Sequence, residues 1–182
     1  LENRIDGHQF KAYLMPMSQR GGVQSLESTA ESLRLENLDD YEDWLTRMSK
    51  IEDVVKQTMQ LMEEGRKTGF MAPKILMERI PDQISSQLVE NPDHSPFYKA
   101  FKQIPDTIAV ADQERLQQIA KTIIDDSLVP TYREFHNYFN DIYLPNSRES
   151  IGASGLPNGE AFYEYRTQLY TTTKMTPDEI HR

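Results

Sequence analysis

From Ala111 to Tyr143 the chain repeats apolar residues at three- and four-residue steps with no turn signal between them. That periodicity commits about 48 Å of polypeptide to one helix at 1.5 Å per residue. Leu116, Ile119, Ala120 and Ile123 make the first half of the stripe; Leu128, Tyr132, Phe135, Phe139 and Ile142 make an aromatic second half. Pro130 falls inside it and cannot donate to the carbonyl of Asp126, which predicts a bend there. The stripe drifts around Pro130, so the two halves are expected to face different neighbours. A helix this long and this aromatic needs other helices packed along it, and the rest of the chain offers them.

Val23, Leu26, Ala30 and Leu33 recur at helical spacing and predict a first helix. Asn37 is placed to cap a second, with Leu38, Tyr41, Leu45 and Met48 as its stripe and Trp44 flanking it. Asp39, Asp40, Glu42 and Asp43 sit in its opening turns, where the helix dipole favours carboxylates, and read as a solvated acidic face. Ser49-Lys50-Ile51-Glu52 has the form of a capping box for a third helix, which carries Ile51, Val54, Val55, Thr58, Leu61 and Met62 and stops at Gly69. Pro73 opens a fourth, with Leu76, Ile80, Ile84 and Leu88 at four-residue spacing; Pro81 interrupts it, and a stripe that stays in phase favours a kink over a break. Ser95-Pro96 starts a short fifth helix through Phe97, Phe101 and Ile104, and Pro105 stops it. Ahead of all these, Phe10, Ala12 and Leu14 alternate with polar residues and permit one short strand or extended arm, ended by Gly21-Gly22.

Beyond Tyr143 the pattern changes. Pro145-Asn146 and Pro157-Asn158-Gly159, with Gly152 and Gly155 between, predict an ordered but irregular crossing. An aromatic helix follows from Glu160, with Phe162, Tyr165 or Arg166, and Leu169 on one side and Tyr163 and Tyr170 on the next. Thr171, Thr172 and Thr173 end it, as a helix exit or a strand against a sheet edge. Thr176-Pro177-Asp178-Glu179 then announces a new helix, with Thr as N-cap and Pro at the first position, whose body is expected beyond Arg182. The resulting expectation is a mainly all-α fold: an irregular multi-helix array with long Pro-kinked helices and a possible short N-terminal strand. It is one domain over 1–182 and a piece of a larger protein, with an extended arm at 1–22, helices over 23–143, and a loop, aromatic helix and helix start over 144–182.

Function classes narrow by exclusion. A net charge of −9 argues against a nucleic-acid partner, since phosphate binding needs clustered cations. The absence of cysteine removes thiol chemistry, and no apolar run approaches the ~20 residues that span a bilayer. There is no His-Glu-x-x-His, no phosphate-binding glycine loop, and no histidine four residues from another among His8, His94, His136 and His181. No catalytic or metal-ligating set is therefore assigned.

The run SRESIGASGLPNGEAFYEYRTQLYTTTKMTPDEIH resembles the middle of a bacterial family catalogued as domain of unknown function 885. DDYEDWLTRMSKIEDVVKQTMQLMEEGRKTGFMAPKILMERI is similar to the family's helical N-terminal part, so the likeness covers about residues 37–182. Members are described as lipoproteins or secreted proteins and grouped with zinc metallopeptidases. The resemblance implies a helical N-terminal region of a zinc-dependent peptidase-like parent in the cell envelope, with its zinc motif downstream and no cofactor in this piece. The implied partners are the downstream peptidase-like part and a peptide substrate. The rival is a non-catalytic helical scaffold or interaction module of an envelope lipoprotein. Three residues stand out as substrate contacts: Arg148, a cation on a turn-rich loop suited to clamping a carboxylate, and Tyr163 and Arg166 on the helix after it. Against this, aromatic residues on a helix are more often core, and Arg148 beside Glu149 more often an ordinary ion pair.

Overall fold

The long helix is the spine. In the computed structural model, which describes residues 7–180, the backbone stays helical from 110 to 143, passing through α6 (Val110–Ile123), a π-turn (Ile124–Leu128), α7 (Val129–Tyr138) and a second π-turn (Phe139–Tyr143). Pro130 is accommodated by the first π-turn rather than by a simple bend. The N–H of Val129 bonds to the carbonyl of Ile124, five residues back, which widens the turn just where the proline ring needs room. Each widened turn also shifts the register of the stripe. Ile124 and Tyr143 are buried, whereas Ile119 and Ile142, expected in the core, are exposed.

The other helices pack along this spine in two groups. α1 (Thr29–Ser32) is a single turn following a 3-10 segment (Val23–Ser28), so the expected first helix is irregular; Ser25, with φ −131°, breaks it. α2 (Leu38–Met48) opens on a capping box in which Asn37 accepts from the Asp40 N–H and the Asp40 carboxylate accepts from the Asn37 N–H. It lies against α6 and buries Trp44, which the sequence placed at the edge of the stripe. α3 (Ile51–Thr68) lies against α7 and ends at Gly69, whose φ of 81° suits glycine alone among common residues. Its expected capping box does not form: Ser49 donates to the Thr46 carbonyl, and Glu52 bonds Lys56 and Ser127 instead. The fourth helix is broken, not kinked, into α4 (Lys74–Met77) and α5 (Pro81–Ser85). Pro81 takes the first position of a new helix, where its missing N–H costs nothing, and Ile80 and Ile84 stay fully buried. Ser95 caps a 3-10 turn (Pro96–Phe101) where an α-helix was expected. The halves of the spine do face different neighbours, α2 and the 96–101 turn for the first, α3 and α5 for the second.

No strand forms among the described residues at the N-terminus. Gly7–Phe10 and Ala12–Leu14 are 3-10 turns joined by Lys11 in the left-handed region. Two turns bring Leu14 down to a fully buried site beside α3, which an extended chain alternating sides would not reach. Gly65 makes that approach possible, since a Cβ there would stand 2.7 Å from the carbonyl oxygens of both Leu14 and Phe70. The remainder of the expected arm, residues 1–6, lies outside the described residues. α8 (Gly159–Thr171) and α9 (Pro177–Ile180) complete the chain.

Candidate functional site

The loop after Tyr143 is tied down before it reaches α8. The Lys74 N–H donates to the Arg148 carbonyl at 2.8 Å, and the Lys74 ammonium meets Glu149 at 3.0 Å. The Arg148 guanidinium turns inward: Nε donates to the Met71 carbonyl at 2.8 Å, and Nη1 to the carbonyls of Ser150 and Gly152. Its partial burial lowers its pKa from the ordinary value. Arg148 thus holds five residues of its own loop against the body, and Glu149 pairs with Lys74 rather than with its neighbour. The loop ends at Asn158 in the left-handed region and Gly159, which is pressed onto the backbone of Ala153 and Ser154.

α8 is held to the body by one edge. Phe162 packs by Leu14, Phe70 and Leu156, and the ring of Phe10 lies 5.5 Å from Phe162 and 5.1 Å from Tyr165. Gly7 lies directly against the Tyr165 hydroxyl. The other edge is open. Among the residues of α8 only Gly159 is buried; Tyr163 is 43% exposed and Tyr170 72%. The guanidinium of Arg166 sits 4.8 Å over the Tyr170 ring and 5.7 Å over Phe162, and Nη2 donates to the Tyr170 hydroxyl at 2.9 Å.

α9 folds back to make a cleft of this edge. Thr172 turns the chain with φ 58°, a left-handed conformation that β-branched residues seldom adopt, so the three threonines serve as a helix exit. Thr176 caps α9 as expected: its N–H and hydroxyl donate to the Glu179 carboxylate at 2.8 and 2.9 Å, and its hydroxyl accepts from the Glu179 N–H at 3.3 Å. Those bonds hold the Glu179 carboxyl below its ordinary pKa. The cleft between α8 and α9 has a volume of about 500 Å³ and is lined by Phe162, Tyr163, Arg166, Tyr170, Pro177 and Ile180, with Ala153 and two threonines. On the far side of Tyr163 and Pro177 lies a second recess carrying Glu160, Glu164 and Asp178. Tyr163 and Arg166 therefore share one cleft and Arg148 stands behind it, in the loop that leads there.

Among the described residues no three His, Asp or Glu side chains come together as a metal site would require. His8 stacks on Tyr13 at 4.9 Å, and the His136 Nε2 lies 3.0 Å from the Asn140 amide; His181 is outside the described residues. No described helix is long and apolar enough to cross a membrane. In the sequence Phe10 stands only as part of an alternation that permits a strand, and nothing local marks it as a residue that fixes α8.

Comparison with curated proteins finds no match. Among solved structures, the chain is similar to the crystal structure of "the putative lipoprotein from Colwellia psychrerythraea", with a TM-score of 0.72 at 12% identity over 87% of this chain. It spans 26% of that chain, about a quarter of its length. At this identity the likeness establishes the fold. The family model for "Bacterial protein of unknown function (DUF885)" matches residues 1–182, and the chain belongs to that family.

Proposed function

We propose that this chain is the helical shoulder of a larger cell-envelope protein of the zinc-peptidase kind. Residues 7–143 act as a base, and α8 and α9 form an arm bordering a cleft that the rest of the polypeptide completes. The observation that carries this reading is the contrast between a body closed around its own core and a 13-residue helix that buries only Gly159. The size of the solved neighbour, of which this chain spans 26%, and its description as a lipoprotein support the larger protein and the envelope setting.

The chemistry a bound zinc supplies in such a protein is activation of water and polarisation of a carbonyl, and none of the described residues is assigned to hold it. This chain's own contribution is position. Tyr163, on the ridge between the apolar cleft and the acidic recess, is the group placed to meet a peptide substrate. Arg166 stiffens the arm by stacking on Phe162 and Tyr170, and Arg148 fixes the loop that carries it.

Metal content and peptide hydrolysis, measured side by side on the longer protein and on the 182-residue chain, test the proposal. Metal and hydrolysis are expected only in the longer protein, where Tyr163→Ala raises KM and leaves kcat unchanged. Stoichiometric metal on the 182-residue chain alone contradicts it, and a longer protein with neither metal nor hydrolysis leaves the scaffold module as the better account.

A further inference from the structure

At 13 residues, α8 falls in the length range where an isolated helix is marginal in water, so its stability comes from what covers it. One edge is covered by Phe10, Leu14, Phe70 and Leu156. The other carries Tyr163, Arg166 and Tyr170, with Ile180 of α9 across the cleft and 40% exposed. Tyrosine and arginine are the side chains enriched at the buried centres of protein interfaces, and lysine, which is depleted there, does not line this cleft. Arg166 is already oriented by its two rings and meets no carboxylate among the described residues. A guanidinium held among aromatic rings suits a carboxylate carried beside an apolar side chain, the local cation acting against the chain's overall negative charge.

We propose that the α8–α9 cleft seats a segment of the remaining polypeptide of the longer protein. The segment places an apolar side chain against Phe162, Tyr170 and Ile180 and a carboxylate on Arg166, leaving Tyr163 on the ridge toward the substrate side. The proposal rests on the reading above that a larger protein exists. The solved neighbour supplies the scale, since a chain spanning 26% of it leaves about three times as much polypeptide to do the covering.

Amide hydrogen exchange of α8, compared between the 182-residue chain and the longer protein, decides it. In the longer protein α8 exchange is expected to slow by about 100-fold, as for a segment moved from local fraying into a cooperative unit, while α7 exchanges alike in both. In the longer protein Tyr170→Ala and Arg166→Glu each return α8 exchange toward the short-chain rate and leave α7 alone. Equal α8 exchange in the two proteins overturns the proposal. So does α8 protection in the 182-residue chain that rises with protein concentration, which identifies a second copy as the occupant, and so does protection that appears only on adding an acidic peptide. Hydrolysis assayed on the same longer sample keeps the two readings apart: hydrolysis with unprotected α8 sinks the docking and spares the peptidase reading, whereas protected α8 without hydrolysis or metal does the reverse.

Discussion

The spine and the arm are both helical and both aromatic, yet they use their aromatic side chains in opposite ways. In α7 and the π-turn after it, Tyr132, Phe135, Phe139 and Tyr143 are at most 2% exposed and meet one another or α3 and α5. In α8, Phe162 and Tyr165 are partly covered, and Tyr163 and Tyr170 are open. The same residue type is core in one place and exposed in the other because burial depends on what other elements cover a face, not on the periodicity of that face. The main core takes nine buried aromatic side chains, and none of them comes from α8.

The contrast is broken most directly from the spine. Phe135→Ala removes a fully buried ring and is expected to cost about 3–5 kcal/mol, read as a drop in the urea midpoint at constant slope. A loss under about 1 kcal/mol would mean the spine is as loosely packed as the arm. The junction between the two regions comes next. Gly65→Ala puts a methyl group 2.7 Å from two backbone carbonyls, neither of which can rotate away, and is expected to cost about 1–3 kcal/mol by overpacking. Because Leu14 is one of the two groups displaced, the same substitution should speed amide exchange in α8 before the body melts.

Arg148→Ala is expected to cost about 1–2 kcal/mol by leaving the Met71 carbonyl without its donor, and to open the 148–152 loop to proteolysis while the body stays folded. A cut within α7 instead would show that base and arm unfold as one.

Which parts of this were legible in the sequence follows from how far each signal reaches. Asn37, Gly69, Ser95 and Thr176 mark helix ends through bonds to residues two to four positions away, and each cap stands where its spacing put it, Gly69 by its backbone angles alone. Ser49 and Glu52 have the same local form but lose it, because the Glu52 carboxylate accepts from Lys56 one turn on and from Ser127, 75 residues along the chain. Pro81 stays in phase with the apolar stripe on either side, so spacing alone does not separate a kink from a break. The two π-turns are the plainest case: nothing local distinguishes Ile142 from Tyr143 as the buried residue, and the choice is made by widening the helix until the larger ring reaches the core. Arg148 read as a loop cation suited to clamping a carboxylate because the Met71 carbonyl that holds it is 77 residues away.

Acid separates the regions more gently. The Glu63 carboxylate on α3 accepts from Arg66 Nε and Nη2, each at 2.8 Å, and this holds its carboxyl at about 2, below the ordinary 4.5. A carboxyl depressed in the folded state stabilises fully above 4.5 and loses its contribution as pH falls toward 2. The pair is partly open to solvent, so the loss is expected to be on the order of 0.5 kcal/mol, seen as an acid-side slope in the urea midpoint that Glu63→Gln removes.

The smallest expected effect is the sharpest, because it is a near-zero for an aromatic side chain on a helix, a kind of residue more often found in a core. Tyr170→Ala deletes a ring that is 72% exposed and whose partners, Arg166 and its own helix, lose only a surface contact. In the 182-residue chain it should change unfolding free energy by no more than about 0.5 kcal/mol, the range of ordinary surface substitutions. The same deletion made in a protein where the cleft is filled removes a buried anchor instead, and its cost should rise to about 2 kcal/mol or more. Denaturation curves of the wild type and this variant in both settings therefore report whether α8 is surface or interface, and equal costs in the two would leave the arm a surface helix.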